Sequence, residues 1–94
     1  MIGTAAYRVV QESLTNVLRH SRATAARVRL ACGPDGSVLL EIGDDGPGAP
    51  QASGGTGVGI RGMRERVVST GGTFRAGPAP GGGFLVRALW GARP

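Results

Sequence analysis

Residues 7–21 read YRVVQESLTNVLRHS, and this stretch decides the fold because its apolar residues recur with a helical period. At roughly 100° per residue, its positions separate into two faces. The apolar stripe is formed by Ala6, Val10, Leu14, Val17 and Leu18, with Val9 and Ser13 at its border. Beside it lies a polar face, which is formed by Glu12, Asn16, Arg19 and His20. The pattern predicts one amphipathic helix from about residue 4 to about residue 19, with one side for a core and the other for a ligand.

A strand, a turn and a second strand follow this helix. Residues 26–32 alternate strictly between apolar and polar positions, which is typical of a half-buried strand. The apolar positions are Val28, Leu30 and Cys32, and the arginines are Arg27 and Arg29. We therefore expect Cys32 to be a buried thiol. Residues 33–36 (GPDG) have turn chemistry and residues 37–43 alternate again, so the segment predicts a β-hairpin.

The second half of the chain begins with a loop and another helix. Residues 44–48 (DDGPG) end the return strand, and residues 49–57 lack apolar periodicity, as a flexible loop does. A second helix is predicted to begin at Gly59 or Ile60 and to stop at Gly71. Its apolar positions are Ile60, Met63, Val67 and Val68.

Two further strands complete the predicted fold. Residues 73–76 form a short strand, and residues 77–83 form a turn too long for a tight hairpin. Residues 84–90 are apolar on both faces, which indicates a central strand. The order of helix, two strands, helix, two strands predicts an α+β fold. In this two-layer sandwich both helices pack on one face of a mostly antiparallel sheet.

Length and composition restrict the class of protein. A chain of 94 residues makes one domain, and no apolar run approaches the ~20 residues of a membrane span. No secretory signal is visible, and the single cysteine cannot form an internal disulfide, which fits a reducing compartment. The net charge is +5, and arginine supplies every strong base. Nucleic-acid binding is disfavoured, because the arginines are scattered and aromatic residues make up only 4% of the chain.

Residues 57–62 (GVGIRG) match the pattern G-x-G-x-x-G without the context of a dinucleotide site. A loop precedes them instead of a strand, and no acidic residue follows Glu65. A phosphate-loop ATPase motif is excluded because the chain has no lysine. Two interpretations stay open: a glycine-rich helix start that offers backbone N–H groups to a phosphate, or a connector with a glycine cap.

Two other places could carry chemistry. A carboxylate at a strand end, such as Asp44, can accept a hydrogen bond from an exocyclic amine like that of adenine. Gly46 and Gly48 would let the backbone approach a flat ring, although the segment taken alone is more typical of an ordinary turn. Glu12 and Asn16 lie one helical turn apart, and their oxygens suit Mg²⁺ among phosphates. The alternative for this pair is a solvated helix face.

The combination of motifs is far more specific for one protein family than any single motif. It consists, in order, of QESLTNVLRHS, DDGPG, GTGVGIRGMRERV, GGTF and GGGF. They resemble the N, G1 and G2 boxes and the glycine-rich tail of sensor histidine kinase ATP-binding domains. These domains belong to the superfamily shared with gyrase, a heat-shock chaperone and the mismatch-repair ATPase. The resemblance covers nearly the whole chain. Residues 59–67 are most similar to the compact subfamily whose response regulators carry helix-turn-helix output domains.

The resemblance implies a Bergerat-type fold with a mixed, mostly antiparallel sheet. Residues 1–94 would be the catalytic domain, excised from a longer protein whose acceptor and dimerisation domain is separate. The strand that usually precedes the first helix would be missing or reduced to residues 1–3. An exposed sheet edge is the expected result, and such an edge favours dimers.

The resemblance also implies an ATP site whose first half lies on the first helix. Asn16 would hold Mg²⁺, and Glu12 would be a proton acceptor or a second magnesium ligand, so these two are the implied catalytic residues. Arg19 and His20 would approach the phosphates or the sugar and base. His20 would not be the phosphoacceptor, which in this family lies on the dimerisation domain.

The second half of the implied site lies downstream. Asp44 would bind the adenine amine, above a floor shaped by Gly46 and Gly48. Residues 49–56 would form a lid over the nucleotide. The phosphates would meet the start of the second helix at Thr56, Gly57, Val58 and Gly59.

The implied reaction is transfer of the γ-phosphoryl group of ATP to a histidine in two-component signalling. The implied partners are the protein's own dimerisation domain and a response regulator receiver domain, within a homodimer and without nucleic acid or direct membrane contact. The implied location is the cytoplasm, on the cytoplasmic side if the full-length protein is membrane-anchored. The alternatives are an anti-sigma-factor-type serine kinase and a non-catalytic nucleotide-sensing interaction domain.

Overall fold

The computed structural model describes residues 2–20, 24–46 and 56–91. Its elements are α1 (Ile2–His20), β1 (Ala26–Cys32), β2 (Val38–Asp44), α2 (Thr56–Ser69), β3 (Gly72–Pro78) and β4 (Phe84–Trp90). The four strands form one sheet in the order β1-β2-β4-β3. The predicted element order and the central position of β4 are confirmed. Neither helix is long and apolar enough to cross a membrane.

Each strand pairing in the described sheet is antiparallel. Short connections join β1 to β2 and β3 to β4, so each pair forms an antiparallel hairpin. α2 connects β2 to β3, which run in the same direction but are separated by β4. The described sheet is therefore antiparallel throughout, whereas the family resemblance implies a mixed sheet.

Both helices lie on one face of this sheet, as predicted, and the core forms between the two layers. The largest fully buried side chains are Trp90, Leu40, Met63, Val9 and Val67. They come from α1, α2, β2 and β4, so one apolar cluster joins the helices to the sheet. The indole N–H of Trp90 donates to the hydroxyl of Thr70 at 2.8 Å, which satisfies its polar atom just beyond the end of α2.

α1 is rotated away from the orientation that its apolar stripe predicts. Val9 and Ser13, at the border of that stripe, are 0% and 3% exposed, whereas Leu18 is 86% exposed. The reason is that α1 packs against α2 as well as the sheet. The hydroxyl of Ser13 donates to the sulfur of Met63 on α2 at 3.3 Å. The buried arc is thereby shifted towards the polar face of α1.

The prediction that β1 is half-buried is wrong. Val28 is 48% exposed, Leu30 is 61% exposed, and Cys32 is an exposed free thiol rather than a buried one. Among the described strands β1 pairs with β2 alone, so it forms an edge of the sheet. The core cluster contains residues of the other three strands but none of β1, which lies at the edge of the sheet.

The turn between β3 and β4 is longer than a two-residue hairpin, as predicted. The N–H of Ala79 donates to the carbonyl of Gly83 at 2.9 Å, and the N–H of Gly82 donates to the carbonyl of Ala79 at 3.1 Å. Gly81, Gly82 and Gly83 all have positive φ values, between 84° and 111°. This backbone path explains why the sequence has a run of glycines here.

Candidate functional site

The polar face of α1 lies against the beginning of α2. A Cβ added at Gly59 would stand only 2.7 Å from Oε2 of Glu12, so this carboxylate sits directly on the helix backbone. α2 begins at Thr56, three residues before the predicted start, which places Gly57 and Gly59 in its first turn. The N–H groups and the positive dipole end of α2 therefore face the same region as Glu12.

Asn16 lies one turn after Glu12 on α1 and is half-buried. Its side chain makes no hydrogen bond within the described part of the chain. The amide oxygen is thus available to a ligand beside the Glu12 carboxylate.

The donor set fits a particular kind of metal site. Residues 2–20, 24–46 and 56–91 contain no group of three or more His, Cys, Asp or Glu side chains that could hold a metal ion. One amide oxygen and one carboxylate oxygen do not make a complete cage for a metal. They suit Mg²⁺, which takes its remaining ligands from phosphate oxygens and water.

Asp44 ends β2 on the side of the sheet that the helices cover, because it follows the alternation of Leu40 and Ile42. Its Oδ1 accepts a hydrogen bond from the N–H of Gly46 at 2.8 Å, which shapes the turn after the strand. The backbone carbonyl of Asp44 packs against Gly83, which has a φ of 85°. Any Cβ at Gly83 would overlap that carbonyl, so the glycine-rich turn fixes the end of β2.

Asp45 has a role that the sequence reasoning missed. Its Oδ1 accepts hydrogen bonds from the N–H groups of Thr24 at 2.8 Å and Ala25 at 3.0 Å, and Oδ2 accepts from the Thr24 hydroxyl at 2.6 Å. The Thr24 side chain first, and then the backbone of Ala25, lower the pKa of Asp45 below its ordinary value of 3.8. Asp45 thus ties the segment that follows α1 to the end of β2. The available signal was the pair of adjacent aspartates, since neighbouring strand residues point to opposite sides.

The structure places several other predicted residues by their backbone alone. Arg19 and His20 occupy the last turn of α1, and Thr56, Gly57 and Val58 occupy the first turn of α2. Gly48 and residues 49–55 of the predicted lid lie outside the described residues. The structure therefore brings Glu12 and Gly59 together. At the end of β2, Asp45, the neighbour of Asp44, holds Thr24 and Ala25, which follow α1 in the chain.

Known proteins have sequences similar to that of this chain. The family described as "Histidine kinase-, DNA gyrase B-, and HSP90-like ATPase" matches residues 2–93. The sensor histidine kinase LnrJ of Bacillus subtilis (strain 168) is 43% identical over 81 residues, which are 86% of this chain and 20% of LnrJ. The histidine-protein kinase/phosphatase UhpB of Salmonella typhimurium is 43% identical over 68 residues, which are 72% of this chain and 13% of UhpB. The chain therefore spans only a small part of the length of these relatives.

A solved structure has the same fold. The histidine kinase domain of a blue-light activated histidine kinase from Erythrobacter litoralis aligns with a TM-score of 0.66, over 88% of this chain and 41% of that domain. The sequence identity is 24%, so this likeness supports the fold alone.

Proposed function

Because this chain belongs to the histidine kinase-, DNA gyrase B- and HSP90-like ATPase family, we propose that it is the ATP-binding catalytic domain of a sensor histidine kinase. The observation that carries the proposal is the contact between Glu12 on α1 and Gly59 on α2. Because of this contact, the carboxylate of Glu12 and the amide of Asn16 lie beside the backbone N–H groups in the glycine-rich first turn of α2. Such a junction suits a nucleotide phosphate with its metal.

The adenine end of the nucleotide would lie at the end of β2. There the carboxylate of Asp44 accepts a hydrogen bond from the exocyclic amine, and Gly46 and Gly48 form the floor. The orientation of Asp44 towards the helix-covered side supports this role, because a nucleotide bound beside α1 and α2 lies on that side.

The phosphate end would lie between the two helices. Thr56, Gly57, Val58 and Gly59 offer their backbone N–H groups, and residues 49–56 close over the nucleotide as a lid. Arg19 and His20, in the last turn of α1, approach the phosphates or the sugar and base. The positive end of the α2 dipole offsets negative charge on the transferring phosphoryl group.

Glu12 and Asn16 are the proposed catalytic pair. Asn16 would hold Mg²⁺, with Glu12 as a second candidate ligand, and the ion would neutralise charge on the phosphate oxygens when it is bound. Glu12 alternatively accepts a proton during transfer. In both roles its position against Gly59 keeps the carboxylate beside the phosphates.

The proposed reaction moves the γ-phosphoryl group of ATP to a histidine on a separate dimerisation domain. Positioning and charge neutralisation supply most of the catalysis in such transfers. Residues 1–94 would be one domain of a longer, homodimeric protein that passes the phosphoryl group to a response regulator. Since ATP is a cytoplasmic substrate, the domain would work in the cytoplasm or on the cytoplasmic side of a membrane.

Titration with a fluorescent ATP analogue tests the proposal. We expect saturable binding that requires Mg²⁺, and we expect Asp44→Asn to weaken it by about 10- to 100-fold, because a hydrogen bond to a charged group is lost. Asp35→Asn is the matched control, since Asp35 lies in the β1–β2 turn, where its carboxylate accepts a hydrogen bond from the N–H of Ser37. The isolated chain should bind radiolabelled ATP without becoming stably labelled.

Two results would contradict the proposal. Absence of magnesium-dependent binding, or equal affinity in Asp44→Asn and the natural sequence, would favour a non-catalytic interaction domain. Stable incorporation of label on a serine of an added protein substrate would favour a serine kinase of the anti-sigma-factor type.

A further inference from the structure

The outer face of the sheet, opposite to both helices, carries a row of charged side chains that crosses all four strands. The register pairs Arg29 with Glu41, Glu41 with Arg87, and Arg87 with Arg75. Three arginines against one glutamate give this row a net charge of +2. Direct cross-strand partners lie close together, so these charges interact.

The single carboxylate of the row is already shared. Oε2 of Glu41 accepts a hydrogen bond from Nε of Arg87 at 2.8 Å, and Oε1 of Glu41 lies 3.4 Å from a terminal nitrogen of Arg29. Arg75 forms no hydrogen bond or ion pair with any residue in the described ranges. Its cross-strand partner is another arginine, and like charges directly opposite each other destabilise a sheet. The fold therefore leaves the guanidinium of Arg75 exposed at one end of the row, with no acidic partner among the described residues.

Apolar side chains stand beside the row without a covering layer. Leu39, Leu85 and Leu89 belong to the same outer face and are only half-buried. Leu85 bends over Gly43, where a Cβ would stand 3.6 Å from its Cδ1. An open groove of about 680 Å³ follows β3 at the edge of the sheet. Arg75, Leu85 and Arg87 line it from the outer face, and Arg64 and Phe74 line it from the helix-covered side. The surface thus combines guanidinium groups with exposed aliphatic area.

We propose that this outer face docks an acidic, amphipathic helix of a partner protein. Its carboxylates would pair with Arg75 and Arg87, and its aliphatic side chains would cover Leu85 and its neighbours. The packing would be the same as that of α1 and α2 on the opposite face of the sheet. The docking surface is separate from the proposed nucleotide site, since none of the residues assigned to that site lies in the row or lines the groove.

The composition of the face favours a protein over a phosphate polymer. Phe84 and Trp90 belong to the helix-covered face. The ring of Phe74 lines the groove, but it is only 6% exposed and lies under the guanidinium of Arg64, so the described sheet offers no open ring on which a base could stack. The carboxylate of Glu41 in the middle of the row also repels a continuous line of phosphates. Carboxylates spaced along a helix can place their charges on the arginines and avoid Glu41.

Fluorescence anisotropy tests the proposal with a labelled synthetic helix that has leucine and glutamate on one side. We expect saturable binding that weakens as salt is added. Arg75→Gln should weaken binding by about threefold, the effect of one exposed ion pair. Arg75→Glu should weaken it by about tenfold or more, because attraction becomes repulsion. Arg66→Gln, at an exposed arginine of α2, is the matched control and should leave binding unchanged.

A second measurement separates docking from folding. Arg75→Glu creates an opposite-charge pair with Arg87, so its urea midpoint should rise while its affinity for the peptide falls. Magnesium-dependent binding of the ATP analogue should stay unchanged in this variant, which keeps the inference independent of the proposed function.

Several outcomes would overturn the inference. One is that the natural chain fails to bind the acidic helix, and another is that a version with glutamine in place of glutamate binds equally well. Equal affinity of Arg75→Glu and the natural sequence would be a third. Tighter binding of an oligothymidylate or of phosphatidylglycerol vesicles, lost in Arg75→Glu, would assign the face to phosphates instead.

Discussion

Two adjacent aspartates at the end of β2 have different roles. Asp44 lies on the helix-covered side of the sheet, where its carboxylate shapes the turn through the N–H of Gly46. Asp45 accepts three hydrogen bonds from Thr24 and Ala25 and so fastens the segment that follows α1. One residue is placed for a ligand, and the other holds two parts of the chain in register.

We expect Asp45→Asn to destabilise the fold at neutral pH and to have little effect in acid. The pKa of Asp45 is lowered in the folded state, because its ionised form accepts hydrogen bonds from Thr24 and Ala25. A lowered pKa contributes stability that is complete above the unfolded value, near 3.8, and is lost as the pH falls through the folded value. Urea unfolding, followed by the fluorescence of Trp90, measures this difference at each pH.

The matched control for this experiment is Glu65→Gln, an exposed acid on α2 that makes no hydrogen bond or ion pair among the described residues. At neutral pH it should destabilise the fold less than Asp45→Asn does. The prediction would be contradicted if Asp45→Asn and the natural sequence still differed by the same free energy of unfolding far below pH 3.8, where Asp45 would be protonated.

At the scale of elements, the contact between α1 and α2 determines the geometry of the proposed site. Gly59 and Gly62 lie in the same helix, but only Gly59 has a close neighbour, the carboxylate of Glu12. A Cβ added at Gly62 would have nothing within 4 Å. The two glycines therefore form a natural pair for comparison.

We expect Gly62→Ala to stabilise the protein by about 0.5–1 kcal/mol, because alanine loses less conformational entropy in a helix. Nucleotide binding should stay unchanged in this variant. Gly59→Ala gains the same helical preference but displaces the flexible end of Glu12, so ATP binding should weaken by about tenfold. Urea unfolding and titration with the ATP analogue measure the two effects, and equal affinities of the two variants would contradict a role for Glu12.

A second pair of glycines tests the contact of α2 with the sheet. A Cβ at Gly72 would lie 2.7 Å from Nε1 of Trp90 and 2.8 Å from a methyl of Val67, whereas Gly77 has open space. Gly72→Ala should therefore destabilise the fold by about 1–3 kcal/mol through overpacking, and Gly77→Ala should not. Urea midpoints check this, and a shift of Trp90 emission in Gly72→Ala alone would locate the strain.

The periodicity of the sequence predicted the helices and strands well, but it did not predict which of their side chains are buried. It found α1, but it placed Leu18 on the buried stripe and left Ser13 at the border. Ser13 is buried because α1 packs against α2, where the sulfur of Met63 accepts a hydrogen bond from the Ser13 hydroxyl. The two residues are 50 positions apart in the sequence. The phase of a helix that packs on two partners depends on tertiary structure, so no single-helix pattern could give it.

The same limit applies to β1 and to the site. Alternation correctly predicted the strand around Leu30, yet burial depends on the place of a strand in the sheet, which alternation does not encode. The glycine motif alone left two interpretations open, a helix start that binds a phosphate or a connector with a glycine cap. It could not reveal that Gly59 also makes room for Glu12, because that contact joins separate segments.

For the whole molecule, the edge that β1 forms in the described sheet is the main liability. β3 is the other edge strand, but its Phe74 is buried in the core. β1 presents an open edge together with Val28 and Leu30, which are 48% and 61% exposed on the side where the other strands carry the core. An open strand edge with apolar side chains is a template for pairing with a second chain. Both features are located on one strand, so a change on β1 can be tested without disturbing the core.

We expect the natural chain to self-associate as its concentration rises, and we expect Leu30→Lys to reduce this association. A lysine on an edge strand must stay hydrated, which opposes edge-to-edge pairing. The urea midpoint should hardly change, because Leu30 is already 61% exposed. Val68→Lys is the matched control: Val68 is 57% exposed but lies on α2, away from the strand edge. Sedimentation velocity should show association in the natural chain and in Val68→Lys but not in Leu30→Lys, and equal behaviour of all three would rule out β1 as the contact.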